Sequence, residues 1–471
     1  MPFRIVVFIA LAAATLGAAE PDMAPLPVGT LVENMRCQAD PTQSYTLYLP
    51  SGYTTEKRRP ALLIFDPGGR SRPAAELFQG AAERWGWILL SSNDTRSGGP
   101  PEANLKAVNA LWPEVHLRYA SDPRRLYAAG FSAGGHLAFL LGKQSGELAG
   151  VIANGSRLLT DQLQATRFAL FAAAGDRDFN YAEMRAVDEL VAEQGNPHRF
   201  EVFPGRHSWM PAELAAQAVA WMELVAMRRE LRPRDLAAVE ELLARDLTAA
   251  RELEAAGDPL AALRRFEMVA RTYDGLAEVA AARVEAARLA SSLEVAREVK
   301  DERHWLAFEQ RMQRRFAEVY ARLEGTGKPM SAPALRDALD VASLQRRAEA
   351  PGREGVTARR LLSTLYVQAS SSAFRPLYEG ERWRAAVALL TVASELYDGS
   401  GAPWTVWYNL ACVHARARHR DEAVRALERA VAEGFDDVQA LSRDPDLASL
   451  QGTAELENLV RTLEGNRPQG Q

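Results

Sequence analysis

One serine lies between small residues, in the segment Gly130-Phe131-Ser132-Ala133-Gly134, which has the spacing Gly-x-Ser-x-Gly. An apolar run at 126–129 precedes this segment, and another at 137–141 follows it. A serine hydroxyl is a weak nucleophile, so it must stand exposed on a sharp turn from strand to helix, where small residues on either side avoid clashes. The segment predicts a nucleophile elbow, and Ser132 is the predicted nucleophile of an acyl-serine mechanism.

Two carboxylates and one histidine follow this segment in an order that suits serine catalysis. An apolar run at 168–173 leads to Asp176 and Asp178, and a run at 200–203 leads to His207. A serine nucleophile needs a base that takes its proton and a carboxylate that orients that base. His207 lies just beyond the last predicted strand of this region and after both acids, which no other histidine does, so it is the predicted base.

The elements that must position these residues form a repeating pattern. From Ser44 to Arg206, short apolar runs alternate with amphipathic stretches, which predicts an α/β domain with a mainly parallel sheet and helices on both faces. A helix is predicted at 103–119, and Pro113 should kink or split it. The predicted strands are 45–49, 61–65, 87–91, 126–129, 168–173 and 200–203.

Four segments carry a resemblance to a known family. They are Tyr45-Thr46-Leu47-Tyr48-Leu49-Pro50-Ser51-Gly52-Tyr53, the serine segment 130–134, Gly175-Asp176-Arg177-Asp178, and Gly205-Arg206-His207-Ser208-Trp209. With them, residues 29–227 resemble an α/β-hydrolase of the secreted esterase and polyhydroxybutyrate-depolymerase type. The resemblance implies Ser132 as nucleophile, His207 as base and Asp178 as acid, and Asp176 stays the alternative acid. It also implies small-molecule or polymeric carboxylic esters as substrates and no metal or organic cofactor.

The loop after the 61–65 strand departs from the commonest pattern of that family. It reads Asp66-Pro67-Gly68-Gly69, where the family usually begins with His-Gly. Pro67 has no N–H to donate. The predicted oxyanion hole therefore consists of the backbone N–H of Ala133 together with that of Gly68 or Gly69. Loss of one such donor typically costs about 2.7–4 kcal/mol of transition-state stabilisation.

Other polar residues of this region receive less specific interpretations. Asp94 and Arg96 lie in a polar loop past a strand end, where they could touch substrate, although a solvated loop is the favoured interpretation. His136, just inside the predicted elbow helix, and His198, at the start of the last strand, fit packing or capping better than catalysis.

The second half of the chain has a different composition. After residue 227, Ala, Glu, Arg and Leu dominate, and apolar residues recur at three- and four-residue spacing, which predicts helices. The change falls at the charged, proline-containing segment 228–235, and a second break lies at 325–330. The predicted domains are an α/β-hydrolase domain at 29–227 and helical regions at 228–329 and 330–471.

Weak internal similarity in the helical half suggests tetratricopeptide-like repeats. The alternative is a set of generic amphipathic hairpins, because small residues let any two helices approach closely. One match is fairly complete, and two poorer ones lie at Trp383, Ala386, Leu390 and Ala393, and at Ala262 and Phe266. The residues of the best match are Trp407, Leu410, Ala411, Ala423, Leu427 and Ala430.

Residues 1–19 have the features of a secretory signal peptide. Arg4 precedes an apolar run of about 12 residues, shorter than the roughly 20 needed to cross a bilayer, and small residues precede Glu20. An uncleaved anchor or a disordered leader is the alternative. The mature protein is predicted to be periplasmic or secreted, with no integral membrane segment after cleavage.

Charge and cysteine content exclude other classes of partner and site. A net charge of -5 and a pI near 6.0 give no electrostatic reason to expect nucleic acid or an anionic membrane as partner. Cys37 and Cys412 lie in different predicted domains, which favours free or buried thiols. No cysteine and histidine cluster has zinc spacing, so no metal site is predicted.

Two hypotheses from different classes follow. The favoured one is an extracytoplasmic serine hydrolase, a carboxylesterase with a Ser-Asp-His triad. The alternative is an interaction or scaffold protein, whose repeats bind a protein partner and whose hydrolase domain has little activity. The altered loop at 66–69 favours the alternative, and the intact order of serine, acid and histidine opposes it.

Overall fold

A computed structural model describes residues 26–98, 100–158, 166–325, 329–396 and 404–465. The predicted signal peptide, residues 1–19, lies outside these residues. The chain divides into two compact units. The first contains the described residues up to Asp176 together with Asn180–Val299, and the second contains Arg177–Phe179 and the described residues from Lys300 onward.

Within the described residues, eight strands of the first unit form one sheet in the order β1-β2-β4-β3-β5-β6-β7-β8. The pairs β1–β2 and β2–β4 are antiparallel, and every other neighbouring pair is parallel. The mainly parallel sheet confirms the predicted architecture. The strands are β1 Leu31–Arg36, β2 Ser44–Tyr48, β3 Arg59–Phe65, β4 Ile88–Ser92, β5 Ser121–Phe131, β6 Leu148–Asn154, β7 Ala169–Gly175 and β8 His198–Phe203.

Helices cover both faces of this sheet because its strands are apolar on both sides. In β3, Leu63 packs in the apolar layer that includes α2, α3 and α4, whereas Leu62 and Ile64 pack in the layer that includes α1 and α5. Strands buried on both faces are typical of parallel sheets. These helices are α1 Ser71–Trp85, α2 Pro101–Pro113, α3 Ala133–Ser145, α4 Tyr181–Glu193 and α5 Ala212–Arg228.

Local sequence signals explain some elements and miss others. Regular helix ends at Pro113, and a π-helical turn, Glu114–Arg118, continues from it, as the predicted split requires. The strands β1 and β6 were not predicted. β1 is rich in polar residues and half exposed, and β6 contains small residues, so neither has a strong hydrophobic pattern.

Three further helices belong to the first unit: α6 Leu236–Ala255, α7 Pro259–Tyr273 and α8 Ala280–Ala290. Their apolar side chains pack with Leu224 and Met227 of α5. A buried charge network also bonds them to β8, since Arg199 lies 2.7 Å from Glu201 and 3.8 Å from Asp246, and Arg265 lies 2.8 Å from Glu201. Residues 236–290 therefore pack directly on the sheet domain.

The second unit is helical in all its described residues that have regular structure, which confirms the predicted change of class. The helix α9, Leu293–Glu324, spans the boundary between the units along the chain. No described helix is both long and apolar enough to cross a bilayer. The other helices are α10 Ala332–Ala338, α11 Val341–Ala348, α12 Gly352–Val367, α13 Phe374–Glu379, α14 Trp383–Ser394, α15 Trp404–Arg416, α16 Arg420–Ala432, α17 Val438–Arg443 and α18 Ala454–Gly465.

The best predicted repeat coincides with the helices α15 and α16. Leu410 and Ala411 of α15 and Ala423, Leu427 and Ala430 of α16 are all buried. Any closely packed helical hairpin buries such residues, so the tetratricopeptide assignment stays a prediction. Cys37 and Cys412 are both buried and free, in agreement with the favoured prediction of free or buried thiols.

Candidate active site

Ser132 lies on a sharp turn between β5, which ends at Phe131, and α3, which begins at Ala133. Its backbone has φ +53° and ψ −123°, a conformation that residues other than glycine rarely adopt. Such a conformation costs on the order of 1–3 kcal/mol and persists when its surroundings impose it. The predicted elbow is therefore present in the geometry of the backbone.

Three glycines let the chain turn this sharply. A Cβ on Gly134 would overlap the carbonyl oxygen of Phe65 in β3, and a Cβ on Gly130 would overlap the backbone of Gly134. A Cβ on Gly135 would overlap the side chain of Ser156. The glycines around Ser132 are thus required by close contacts with the backbone of Phe65, with each other and with the Ser156 side chain.

His207 contacts the serine directly. Its Nε2 atom lies 2.9 Å from the Oγ atom of Ser132, a hydrogen-bond distance at which the imidazole can accept the hydroxyl proton. The imidazole also packs on the ring of Phe131, with 4.6 Å between the centroids. The structure therefore brings together the two residues that the sequence selected as nucleophile and base.

Residues 204–211, between β8 and α5, are here named the histidine loop. Three acceptor side chains at the carboxyl ends of other strands bond to this loop. The N–H of Gly205 donates to Asp176 at 2.9 Å, the indole N–H of Trp209 donates to Asp66 at 2.8 Å, and the N–H of Met210 donates to Asn154 at 2.6 Å. These bonds flank His207 on both sides and fix the position of its backbone.

Asn154 links the histidine loop to the elbow. This fully buried side chain at the end of β6 accepts from Met210 and donates to the carbonyl oxygen of Ala173 at 3.3 Å. The backbone carbonyl oxygen of Asn154 accepts from the N–H of Ser132 at 2.9 Å. Asn154 is not among the residues predicted from the sequence, because β6, the strand that it ends, was itself not predicted.

The two candidate acids differ in environment. Asp176 follows β7 directly, donates its N–H to the carbonyl oxygen of Phe203 and accepts from Gly205, so its recorded bonds stabilise the junction between β7 and the histidine loop. Asp178 has no exposed surface. A buried carboxylate persists when it is hydrogen-bonded or paired. The choice of Asp178 as the acid stays a prediction.

Residues 66–69, between β3 and α1, are here named the oxyanion loop. The N–H of Gly68 donates to the Asp66 carboxylate at 2.8 Å, and the N–H of Gly69 donates to the Asp66 carbonyl oxygen at 3.1 Å. Both predicted donors are therefore engaged within their own loop. Ala133 occupies the first position of α3, where the N–H has no acceptor within the helix. An oxyanion role for Gly68 or Gly69 stays a prediction, and it requires that the N–H be shared with Asp66 or released.

Asp66, the carboxylate of this loop, accepts hydrogen bonds from several groups. Burial raises its pKa, but hydrogen bonds from Arg70, Trp209 and the backbone outweigh burial and hold the pKa below its ordinary value. The Arg70 guanidinium forms a two-point contact with the carboxylate, at 3.0 Å on each oxygen. Asp66 is therefore a charged, structural acceptor at neutral pH.

Two other histidines occupy positions that fit the packing interpretation. His136, in α3, lies 2.9 Å from the carbonyl oxygen of Arg157 through Nδ1, and burial lowers its pKa. His198 lies 2.9 Å from the carbonyl oxygen of Asn196. Among the described residues, neither imidazole is hydrogen-bonded to Ser132, although the backbone N–H of His136 donates to the Ser132 carbonyl oxygen at 3.2 Å within α3.

A possible group of metal ligands lies in the second unit. Cys412, Asp444 and Asp446 place one ligand atom each within 4.8 Å of one another. Asp444 already accepts from the Tyr408 hydroxyl at 2.7 Å and from the N–H of Asp446 at 2.9 Å. Burial raises the pKa of the Cys412 thiol, so the thiol is protonated at neutral pH. Hydrogen bonding within the chain accounts for this cluster.

Comparisons with known proteins find similar structures but no related sequence. No family model and no curated protein matches the chain. A ferulic acid esterase has a TM-score of 0.36 and 17% identity, over 42% of this chain and 98% of its own. FphF, a fluorophosphonate-binding serine hydrolase of Staphylococcus aureus, has a TM-score of 0.34 and 14% identity, over 42% of this chain and 99% of its own. Esterase 2 of Thermogutta terrifontis, phosphorylated by paraoxon, has a TM-score of 0.35 and 18% identity, over 44% and 96%.

Proposed function

We propose that this protein is a serine hydrolase that cleaves carboxylic esters through an acyl-serine intermediate. The observation that carries the proposal is the 2.9 Å contact between His207 Nε2 and Ser132 Oγ, at a serine held with positive φ. A histidine within hydrogen-bond reach of a serine on a strained elbow is the arrangement that nucleophilic catalysis requires.

The proposed reaction has two halves. In the first, Ser132 Oγ attacks the ester carbonyl carbon while His207 takes the hydroxyl proton, and the tetrahedral intermediate collapses as His207 returns that proton to the leaving alcohol. In the second, His207 activates a water molecule that attacks the acyl-serine and releases the acid. The N–H of Ala133 is the proposed oxyanion donor, assisted by Gly68 or Gly69, and Asp178 is the proposed acid that orients His207.

Labelling with a fluorophosphonate probe tests this proposal. We expect the purified mature protein to be labelled, and we expect Ser132→Ala and His207→Ala to abolish labelling. Ser145→Ala, at the last residue of the same helix α3, is the matched control and should be labelled like the wild type. Failure of the wild type to be labelled, with the protein folded, would contradict the proposal.

One observation favours the alternative function, a scaffold with little activity. The N–H groups of Gly68 and Gly69 both donate to Asp66, which removes them as ready oxyanion donors. Under that alternative, the wild type and Ser132→Ala would be equally inert to the probe.

We also propose that the mature protein is periplasmic or secreted, from the features of residues 1–19. Expression of the full chain in a bacterium, followed by fractionation and N-terminal sequencing, tests this location. A mature chain that starts near Glu20 in the extracytoplasmic fraction is expected. A full-length chain in the cytoplasm would contradict it.

A further inference from the structure

The loop that follows β4, residues 93–97, is bonded to the oxyanion loop. The hydroxyl of Thr95 donates to the carbonyl oxygen of Asp66 at 2.7 Å, and the N–H of Ser97 donates to the carbonyl oxygen of Pro67 at 2.6 Å. Since β3 pairs with β5 in a register that sets Phe65 opposite Gly130, both loops lie at the sheet edge that carries Ser132.

Arg96 is held in place within this loop. Asn104 of α2 bonds to its backbone on both sides, accepting from the Arg96 N–H and donating to the Arg96 carbonyl oxygen, each at 2.8 Å. The Nη1 atom of Arg96 donates to the carbonyl oxygens of Asn93 at 2.7 Å and Thr95 at 2.8 Å. The guanidinium lies against Gly69, because a Cβ there would overlap Nη1. The cation is therefore fixed beside the oxyanion loop.

Within the part of the chain that the structure describes, no carboxylate pairs with the charge of Arg96. Its side chain is exposed, and among the described residues its hydrogen-bond acceptors are carbonyl oxygens, with no carboxylate at ion-pair distance. Other arginines of this sheet edge do have acidic neighbours, since Arg70 pairs with Asp66 at 3.0 Å and Arg157 faces Glu183 at 3.7 Å. The Nε and Nη2 donors of Arg96 remain available for a ligand.

Resting on the proposed function, we infer that Arg96 binds a carboxylate of the substrate, so that the preferred substrates are esters that also carry a free carboxylate. A guanidinium presents a planar pair of donors that matches a carboxylate, and a preformed position reduces the entropy lost on binding. The chain as a whole carries a net charge of -5, so general electrostatic attraction does not explain such a preference.

Matched ester pairs test the inference. The pair 4-acetoxybenzoate and 4-acetoxybenzamide differs by a charge on the alcohol side, and monophenyl adipate and its terminal amide differ by a charge on the acyl side. We expect the wild type to prefer the charged member of at least one pair in kcat/KM, and Arg96→Gln to lower kcat/KM for that member by about 10- to 100-fold. The readout is the ratio of kcat/KM between the charged and the neutral member of the same pair, and this ratio should fall by that factor in Arg96→Gln.

Three further variants separate charge from structure. Arg96→Lys keeps the charge without the planar fork and should retain part of the preference. Asn104→Ala leaves Arg96 in the chain but loosens it, so the preference should fall while Arg96 remains present. Arg251→Gln, at an exposed arginine of α6, is the control and should leave the preference unchanged.

Binding measurements distinguish failure of this inference from failure of the proposed function. The unreactive amides 4-acetamidobenzoate and 4-acetamidobenzamide can be titrated calorimetrically whether or not the protein hydrolyses esters. Tighter binding of the charged amide by the wild type, lost in Arg96→Gln, supports a carboxylate site even in an inactive protein. Equal binding of both amides together with equal kcat/KM for the two members of each ester pair, or a charge preference that survives in Arg96→Gln, overturns the inference. A preference restricted to 4-acetoxyphenyl phosphate would also overturn it, by assigning the site to phosphate.

Discussion

The elbow and the histidine loop meet at one hydrogen bond but are built in different ways. The glycines that permit the conformation of Ser132, at 130, 134 and 135, lie within three residues of it in the sequence, although two of them are packed against Phe65 and Ser156. The histidine loop depends on Asp66, Asn154 and Asp176, which lie 29 to 143 residues away from the atoms that they bond. The turn at Ser132 depends on glycines that lie next to it in the sequence, whereas the position of His207 depends on hydrogen bonds from distant side chains.

This difference implies that the two halves of the site fail differently. A bulkier residue at Gly130 or Gly134 overlaps backbone atoms and displaces Ser132. Loss of an acceptor that bonds to the histidine loop leaves a buried N–H without a partner and loosens His207, while Ser132 keeps its conformation. The substitutions below separate these outcomes.

The largest effect should come from Asp178, the proposed acid. Asp178→Asn should lower kcat for ester hydrolysis by about 10⁴-fold, because an amide cannot stabilise the histidine tautomer and cation that catalysis needs. Asp176→Asn keeps an acceptor for the N–H of Gly205, so its effect should stay below about tenfold. Steady-state kinetics of both variants decide between the two acids, and the reverse order of effects would assign the role to Asp176.

Breaking the elbow should be the next largest effect. Gly134→Ala should lower the rate of fluorophosphonate labelling by at least about 100-fold, because the new Cβ overlaps the carbonyl oxygen of Phe65 and displaces the serine. Gly80→Ala, in the interior of α1, meets no atom within 4 Å and is the matched control. That control should label normally and be slightly more stable. Normal labelling of Gly134→Ala would show that the elbow tolerates a side chain there.

A smaller effect is expected for the residue that links the two loops. Asn154→Ala leaves the buried N–H of Met210 without its acceptor, so kcat should fall by about tenfold with KM nearly unchanged. Asn196→Ala, which removes a bond to Thr166 ahead of β8, should leave both constants unchanged. An Asn154→Ala variant with reduced stability but full kcat would restrict Asn154 to a structural role.

The smallest effect concerns the pH dependence of stability. The folded protein holds the pKa of Asp66 below its ordinary value, so this carboxylate stabilises the fold above the pKa of the unfolded state, about 3.9, and the stabilisation is lost as pH falls through the folded pKa. Asp66→Asn should reduce the free energy of unfolding by about 1–3 kcal/mol at pH 7, and the difference should shrink below pH 4. Denaturant unfolding of the wild type and of Asp66→Asn at pH 7 and at pH 3 measures this difference in the free energy of unfolding. A difference that persists undiminished at pH 3 would contradict this origin.

Much of the fold was accessible from the sequence. Six of the strands and the helical second half follow from hydrophobic patterns that each segment carries by itself, and Pro113 marks the end of regular helix in α2. The strands β1 and β6 were not predicted, because β1 is polar and half exposed and β6 is rich in small residues. Their assignment requires the neighbouring strands that complete their hydrogen bonds.

The sequence by itself indicated the turn at Ser132, because the glycines that the turn requires all lie within three residues of the serine. It also selected His207 by its position after the last strand. Only the tertiary structure decided that Asn154 and Asp66 accept hydrogen bonds from the histidine loop. It also decided that the N–H groups of Gly68 and Gly69 donate to Asp66, and that Arg96 is fixed beside the oxyanion loop. Apart from the local bonds within the oxyanion loop, these features depend on contacts between residues far apart in the chain, and such contacts leave no periodic signal in the sequence.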